Sequence, residues 1–336
     1  MRKLFVLLVF TICIVAGCSE DYEVPNHTPG VVKILDGFLM VAYGEGGLII
    51  ANENSGEVVT QFFPPREMNS IDDFDVDGEL LFLLDSRGRD FVTVCSFRDG
   101  NVEILDPPAQ VEGGPFNGIS AKNGNLVVAG GTSFLNRFRY SIDGKLSGPV
   151  NFGRDRGHPD VLLSSDGQAA FVSSDFGIGL DIDRFGVSSL HIGNALEIPF
   201  IQSELGIPEA GFTPGVTSPV GFPIQSAIMD NYLLVTHGGG LTIIRLIDNY
   251  IFGTATTLDI GISGTAIAVD ESIAYITGFQ GTDPVLATID LSDMNSPHIS
   301  TQILITDGHV PTSVAAGSDD IYIAAGQAGL IKLPKN

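Results

Sequence analysis

The stretch Val76-Asp77-Gly78-Glu79-Leu80-Leu81-Phe82-Leu83-Leu84 decides the fold, because the chain repeats its pattern. A turn pair that accepts left-handed backbone is followed by an apolar run of strand length. The pattern occurs upstream as Leu35-Asp36-Gly37 before Phe38 to Tyr43. Downstream it occurs as Lys122-Asn123-Gly124 before Leu126-Val127-Val128, and as Ser165-Asp166-Gly167 before Ala169 to Val172. It returns as Met229-Asp230-Asn231 before Tyr232 to Val235, and as Val269-Asp270-Glu271 before Ile273 to Ile276. The last copy is Ser318-Asp319-Asp320 before Ile321 to Ala324.

The turn residues are separated by 41, 46, 43, 64, 40 and 49 positions. A period of roughly 40–50 residues with several short strands per unit is the signature of β-propeller blades. The sequence therefore predicts an all-β chain, a seven-bladed β-propeller spanning residues 28–336. The long interval holds an insertion at about 195–220, rich in proline (Pro199, Pro208, Pro214, Pro219) and expected to be a loop. The last unit is short, since only 17 residues follow Asp319. Its missing fourth strand is expected from the N-terminal stretch Tyr22 to Asn26, because a propeller must close its open edge.

Several motifs resemble those of LVIVD-repeat proteins. Ile289-Asp290-Leu291-Ser292-Asp293-Met294-Asn295-Ser296-Pro297 is similar to that family's Ile-Asp-x-Ser-x-Pro tail. Gly44-Glu45-Gly46-Gly47-Leu48-Ile49-Ile50 and Gly326-Gln327-Ala328-Gly329-Leu330-Ile331-Lys332-Leu333 resemble its Gly-x-x-Gly-Leu strand. Ser164-Ser165-Asp166-Gly167-Gln168 resembles a turn of extracytoplasmic propellers. The resemblance implies a surface or periplasmic propeller and transfers no catalytic residue.

The first 18 residues have the layout of a bacterial lipoprotein signal. Arg2-Lys3 precede a largely apolar stretch, Leu4 to Val15, and Val15-Ala16-Gly17-Cys18 resembles the lipobox. The stretch is too short for a bilayer core, which needs about 20 residues. The expectation is a signal peptide over 1–17, lipidation at Cys18, and a tether over 18–27. The acidic run Ser19-Glu20-Asp21-Tyr22-Glu23 resembles a surface-export tag. An outer-membrane lipoprotein follows, facing the periplasm or the cell surface, with the membrane as partner through its lipid.

Seventeen basic and 40 acidic residues give a net charge of −23. Such a chain repels phosphate backbones, so nucleic acid is not an expected partner. Removing Cys13 with the signal and Cys18 to lipid leaves Cys95 alone, so no intrachain disulfide is expected. Cys95 sits in a strand-like run, Phe91 to Phe97, and reads as a buried small hydrophobe. The chain has no tryptophan, which excludes the Trp-Asp repeat and weakens a glycan-binding reading.

Catalytic chemistry is hard to find. Asp73-Phe74-Asp75-Val76-Asp77-Gly78 resembles the start of a calcium loop, but the twelfth position is Leu84 where a bidentate Glu is needed. Alternation there fits a strand running into a turn. Gly238-Gly239-Gly240 lacks a following helix and reads as a turn. Arg87, Arg89, Arg137, Arg139, Arg154 and Arg156 hold much of the positive charge and are read as pairing between loops, with a contact patch as the alternative. His27, His158 and His309 each precede the first strand of a unit, and Asn69 and Asn117 occupy the same stretch of two others. These five residues are the candidate ligand-binding positions at the channel mouth. No catalytic residue and no metal ligand is assigned. No cofactor is expected, a divalent cation such as calcium being the weaker alternative. The function expected is a binding or scaffold module for a protein or extracellular ligand, with the question of enzymatic activity left open and leaning against it. The alternative is an extracytoplasmic hydrolase or lyase with a metal-dependent site in the channel.

Overall fold

The computed structural model describes residues 30–335 except 87–89, 112–115, 131–134, 153–159, 176–184, 192–222, 238–239, 248–250 and 306–309. Among the described residues twenty-six strands form antiparallel meanders in which each strand pairs with its sequence neighbour in the same sheet. The first sheet contains β1 (Val31–Leu35), β2 (Phe38–Ala42), β3 (Leu48–Asn52) and β4 (Val58–Phe62). The second contains β5 (Asp73–Asp77), β6 (Leu80–Asp85), β7 (Phe91–Arg98) and β8 (Asn101–Gln110). The third contains β9 (Phe116–Lys122), β10 (Asn125–Gly130), β11 (Leu135–Tyr140) and β12 (Leu146–Phe152). A three-stranded sheet follows, β13 (Asp160–Leu163), β14 (Ala169–Asp175) and β15 (Phe185–His191). Next come β16 (Pro223–Met229), β17 (Tyr232–His237), β18 (Gly240–Ile247) and β19 (Ile251–Leu258). After them stand β20 (Ser263–Asp270), β21 (Ile273–Gln280), β22 (Asp283–Asp290) and β23 (His298–Leu304). The chain ends in a second three-stranded sheet, β24 (Ser313–Ala316), β25 (Asp320–Ala324) and β26 (Leu330–Pro334).

The quoted repeat is the hairpin between the first and second strand of a sheet. Asp36 and Gly37 both have positive φ, 49° and 78°, as do Asn123 and Gly124, at 49° and 81°. Two successive left-handed residues make the turn whose twist matches antiparallel strands. The apolar runs after these turns are second strands. Such a strand has neighbours on both edges and sheets on both faces. Every residue of β6 is accordingly buried.

The core is divided among the junctions between sheets. Met40, Leu48 and Ile50 pack with Phe74, Leu81 and Leu83 between the first two sheets. Phe82, Val92 and Val94 pack with Ile119, Leu126 and Phe138 between the next two. Val32, Leu39 and Val41 meet Ala315, Tyr322 and Ala324, which joins the end of the chain to its beginning.

The expectation of a seven-bladed propeller does not stand, and the closing strand expected from Tyr22 to Asn26 lies outside the described residues. Fewer blades are regular: among the described residues five sheets have four strands, and β13–β15 and β24–β26 have three. Neighbouring innermost strands pack closely at six junctions, whereas β1 and β5 stand further apart. There the link is the Gly44–Ile71 bridge and the Lys33–Asp75 ion pair at 2.9 Å. The repeat misleads because it marks second strands, which recur even in sheets with three described strands. Closure among the described residues runs through side chains. Ser313 Oγ accepts from Val32 N at 3.2 Å. Glu53, 7 % exposed, accepts from Ser318 N at 2.5 Å and from Ser318 Oγ at 2.8 Å. Tyr322 Oη donates to the Glu53 carbonyl at 3.1 Å.

The innermost strands have a free edge, and side chains of the preceding sheet satisfy part of it. Asp73, Asp75 and Asp77 accept from the backbone N–H groups of Ile119, Ala121 and Asn123 at 3.2, 2.7 and 2.8 Å. Gln225 does the same for Ile267 N at 2.8 Å, and Ser120 for Leu163 N at 3.0 Å.

Candidate functional site

The chain leaves β4 and crosses to β5 through residues 63–72, at the rim where innermost strands begin. Pro64 and Pro65 open this crossover, and Met68 N closes a turn on Pro65 O at 2.9 Å. Met68 and Ile71 are buried in the cluster between the first two sheets. Ile71 also exchanges both backbone bonds with Gly44, at 2.8 and 3.0 Å. The crossover is thus pinned at two apolar residues and one bridge. Phe63, Arg66, Glu67 and Asn69 stay exposed between these anchors.

Below Asn69 lies a polar knot. Asp85, at the end of β6, is 0 % exposed. It accepts from Asn69 N at 2.6 Å and from Ser70 Oγ at 2.9 Å. Asp72 accepts from the same Ser70 hydroxyl at 2.7 Å, from Ser86 N at 2.8 Å and from Ser86 Oγ at 3.0 Å. Buried carboxylates persist where donors replace the lost water. Buried Asp85 holds the Asn69 amide, and half-buried Asp72 holds the Ser86 amide. Asp90, with φ 56°, is held above the usual carboxylate range by burial and then by the nearby Asp85 charge. That negative field disfavours further anionic groups at this rim.

The arrangement suits recognition better than bond-making. Ser70 and Ser86 donate their hydroxyl protons to carboxylates that already hold loop backbone. What faces solvent is an aromatic ring, a guanidinium, a carboxylate and a carboxamide on a rigid base. Preorganised polar and aromatic groups of this kind lower the ordering cost of binding.

Of the sequence candidates, Asn69 is exposed beside this knot. Asn117 lies in β9 with its side chain outside the description, and Cys18, His27, His158 and His309 lie outside the described residues. The insertion at 195–220 also lies outside them. No group of three or more His, Cys, Asp or Glu among the described residues is placed to hold a metal. Asp73, Asp75 and Asp77 belong to strand β5, and their carboxylates accept from backbone amides of β9 and the turn after it. The Arg137–Tyr140 segment is not one surface: Arg137 is buried, and burial and then Arg139 lower its pKa. Sequence reasoning missed Ser70, Asp72, Asp85 and Ser86. Their signal was a Ser-x-Asp pair and an Asp-Ser pair at the two ends of one hairpin, too short to stand out.

His237, at the end of β17, is buried, and burial lowers its pKa to about 4. Its Nε2 pairs with Thr242 Oγ1 at 3.0 Å, which in turn pairs with Thr257 Oγ1 at 3.1 Å. This is a neutral imidazole within one sheet.

No protein-family model matches the chain, and no curated protein matches it. Solved structures do. A hydrazine synthase structure from Kuenenia stuttgartiensis is similar with a TM-score of 0.67 at 13 % identity, covering 96 % of this chain and 99 % of the other. A chain of a mitotic checkpoint complex matches with a TM-score of 0.65 at 13 % identity, covering 96 % and 98 %. A catalytically inactive virginiamycin B lyase from Staphylococcus aureus, solved with quinupristin, matches with a TM-score of 0.64 at 13 % identity, covering 94 % and 98 %. Identities this low establish the β-propeller fold alone.

Proposed function

We propose that the protein is an extracytoplasmic binding or scaffold module, tethered by lipid at Cys18 and facing the periplasm or the cell surface. The carrying observation is the crossover 63–72, which exposes Phe63, Arg66, Glu67 and Asn69 and whose Asn69 amide is held by Asp85 in a network with Ser70 and Asp72. The fold supports the same reading, since propellers present loops around a rigid ring. The lipid anchor rests on the Val15-Ala16-Gly17-Cys18 run, and the kinship to LVIVD-repeat proteins on the motifs quoted above. A net charge of −23 favours partners that carry positive charge.

The test is cross-linking on intact cells with a reagent that cannot cross membranes, comparing wild type with Phe63→Ala/Asn69→Ala. A reproducible partner that the double variant loses is the expected result. Recovery of the protein alone from both would overturn the binding reading. Retention of Cys18→Ser in the membrane fraction would overturn the lipid anchor.

A further inference from the structure

The turn between β2 and β3, Gly44-Glu45-Gly46-Gly47, is joined to the crossover 63–72 near both of its ends. Gly44 exchanges its backbone bonds with Ile71, near the far end. Gly47 lies against the near end. A Cβ on Gly47 would stand 2.2 Å from the Phe62 carbonyl oxygen and 3.1 Å from Phe63 Cα, and its φ is +84°. Only glycine suits both conditions. The turn also closes on itself. Gly47 O accepts from Tyr43 N at 2.8 Å, Tyr43 O from Gly46 N at 3.1 Å and Gly44 O from Gly47 N at 3.0 Å. The backbone is therefore fixed, and the one side chain on its four residues is Glu45, which is exposed.

Glu45 stands two positions from the glycine that touches Phe63. Phe63 is 61 % exposed, whereas its neighbour Phe62 packs against the core between the first two sheets. Pro64 restricts the backbone of Phe63 to extended conformations. An aromatic face and a carboxylate held side by side are the two parts of a receptor for an organic cation. The ring attracts the charge, and the carboxylate accepts its N–H bonds. Asp72 and Asp85 are engaged by Ser70, Ser86 and the Asn69 amide, so Glu45 is the carboxylate set beside the ring.

Charge sets the sign of the occupant. The segments that meet here, 44–47, 63–72 and 85–90, hold five acids and three arginines, and the whole chain carries −23. Arg66 and Glu67 are adjacent and opposite, and together add no net sign. Anions are disfavoured and cations attracted. Among the described residues Glu45 is not grouped with two further metal-ligating side chains, so a bare divalent ion finds too few ligands. We propose that Phe63 and Glu45 take an arginine side chain of the partner protein, its guanidinium lying on the Phe63 ring and donating to the Glu45 carboxylate. Arginine fits better than lysine, because its planar, weakly hydrated fork can stack on a ring and bond a carboxylate together. The inference rests on the binding reading above and adds Glu45, which lies outside the crossover.

The probe is N-acetyl-arginine amide, titrated onto the full chain at low salt and followed by amide NMR shifts. Saturable shifts are expected at Glu45, Gly46, Gly47 and Asn69. N-acetyl-citrulline amide, of the same shape without the charge, is expected to cause none. Phe63→Leu and Glu45→Gln should each weaken binding about threefold. Both replacements are at exposed positions and keep side-chain bulk, so folding is retained. Glu57→Gln removes an exposed carboxylate at the other end of the same sheet and should leave binding unchanged. Three results overturn the proposal: no saturable shift, equal shifts with the citrulline compound, or equal weakening by Glu57→Gln and Glu45→Gln. A cell-surface partner lost on Phe63→Ala/Asn69→Ala, yet kept on Glu45→Gln and not displaced by arginine amide, would sink the arginine site and leave the binding function standing. Probe binding at these amides with no partner recovered from cells would uphold the arginine site and overturn the partner reading.

Discussion

Replacing Glu53 by alanine tests how the ring closes. The Glu53 carboxylate joins the β3–β4 turn to the turn before β25, 265 residues away, through Ser318 N and Ser318 Oγ. A bond to a charged acceptor contributes about 1.5–3 kcal/mol. Ser318 itself is exposed, so water recovers its hydroxyl and the backbone bond dominates. Glu53→Ala should therefore cost about 2–3 kcal/mol. Against a total stability of about 5–15 kcal/mol that is a large share. Glu53→Gln keeps an oxygen acceptor and should cost about 1 kcal/mol. The Tyr322–Glu53 carbonyl bond survives both changes. Urea unfolding followed by circular dichroism reads the difference, and hydrogen exchange should quicken first in β1 and β24. A loss below about 0.5 kcal/mol for Glu53→Ala, or equal losses for both variants, would refute the reasoning.

Among the described histidines His237 is acid-sensitive. Its folded pKa is lowered to about 4, so between that value and about 6.5 the unfolded chain binds a proton that the native site refuses. Stability should fall as pH drops through that window, and His237→Gln should flatten this part of a melting-temperature profile. Cys95 is buried and its thiol is pushed up to about 12, so alkylating reagents at pH 8 should leave the native thiol intact and label it only in denaturant. Tyr140 donates to Asp77 at 2.5 Å, and burial followed by this bond raises its pKa. Tyr140→Phe should lower stability by about 1–2 kcal/mol, measured as a shift in the urea midpoint.

Much of the architecture was readable because it is local. Asp36-Gly37 and Asn123-Gly124 dictate their hairpins, and runs such as Leu80 to Leu84 announce strands covered on both faces. Cys95 read as a buried hydrophobe is one in the structure. The strand reading of Asp73 to Asp77 is likewise met by β5. The number of regular blades was not readable, because outer strands such as β8, with Glu103, Asp106 and two prolines, carry a weak pattern. Ring closure was hidden for another reason. Glu53 and Ser318 lie at opposite ends of the chain, and no periodicity links a glutamate in one turn to a serine in another. The same distance effect concealed the Asp72–Asp85 knot.

The three aspartates of β5 act as a vernier. Asp73, Asp75 and Asp77 meet Ile119, Ala121 and Asn123 at a constant offset of 46 residues. Sliding the third sheet by one residue would set each carboxylate against an amide already committed to β10. Sliding it by two would strand one carboxylate beyond the end. The unit that can be cut out, duplicated or grafted is therefore not a single sheet. It is the second and third sheets together, and changes in chain length between Asp73 and Asn123 belong in the hairpin loops.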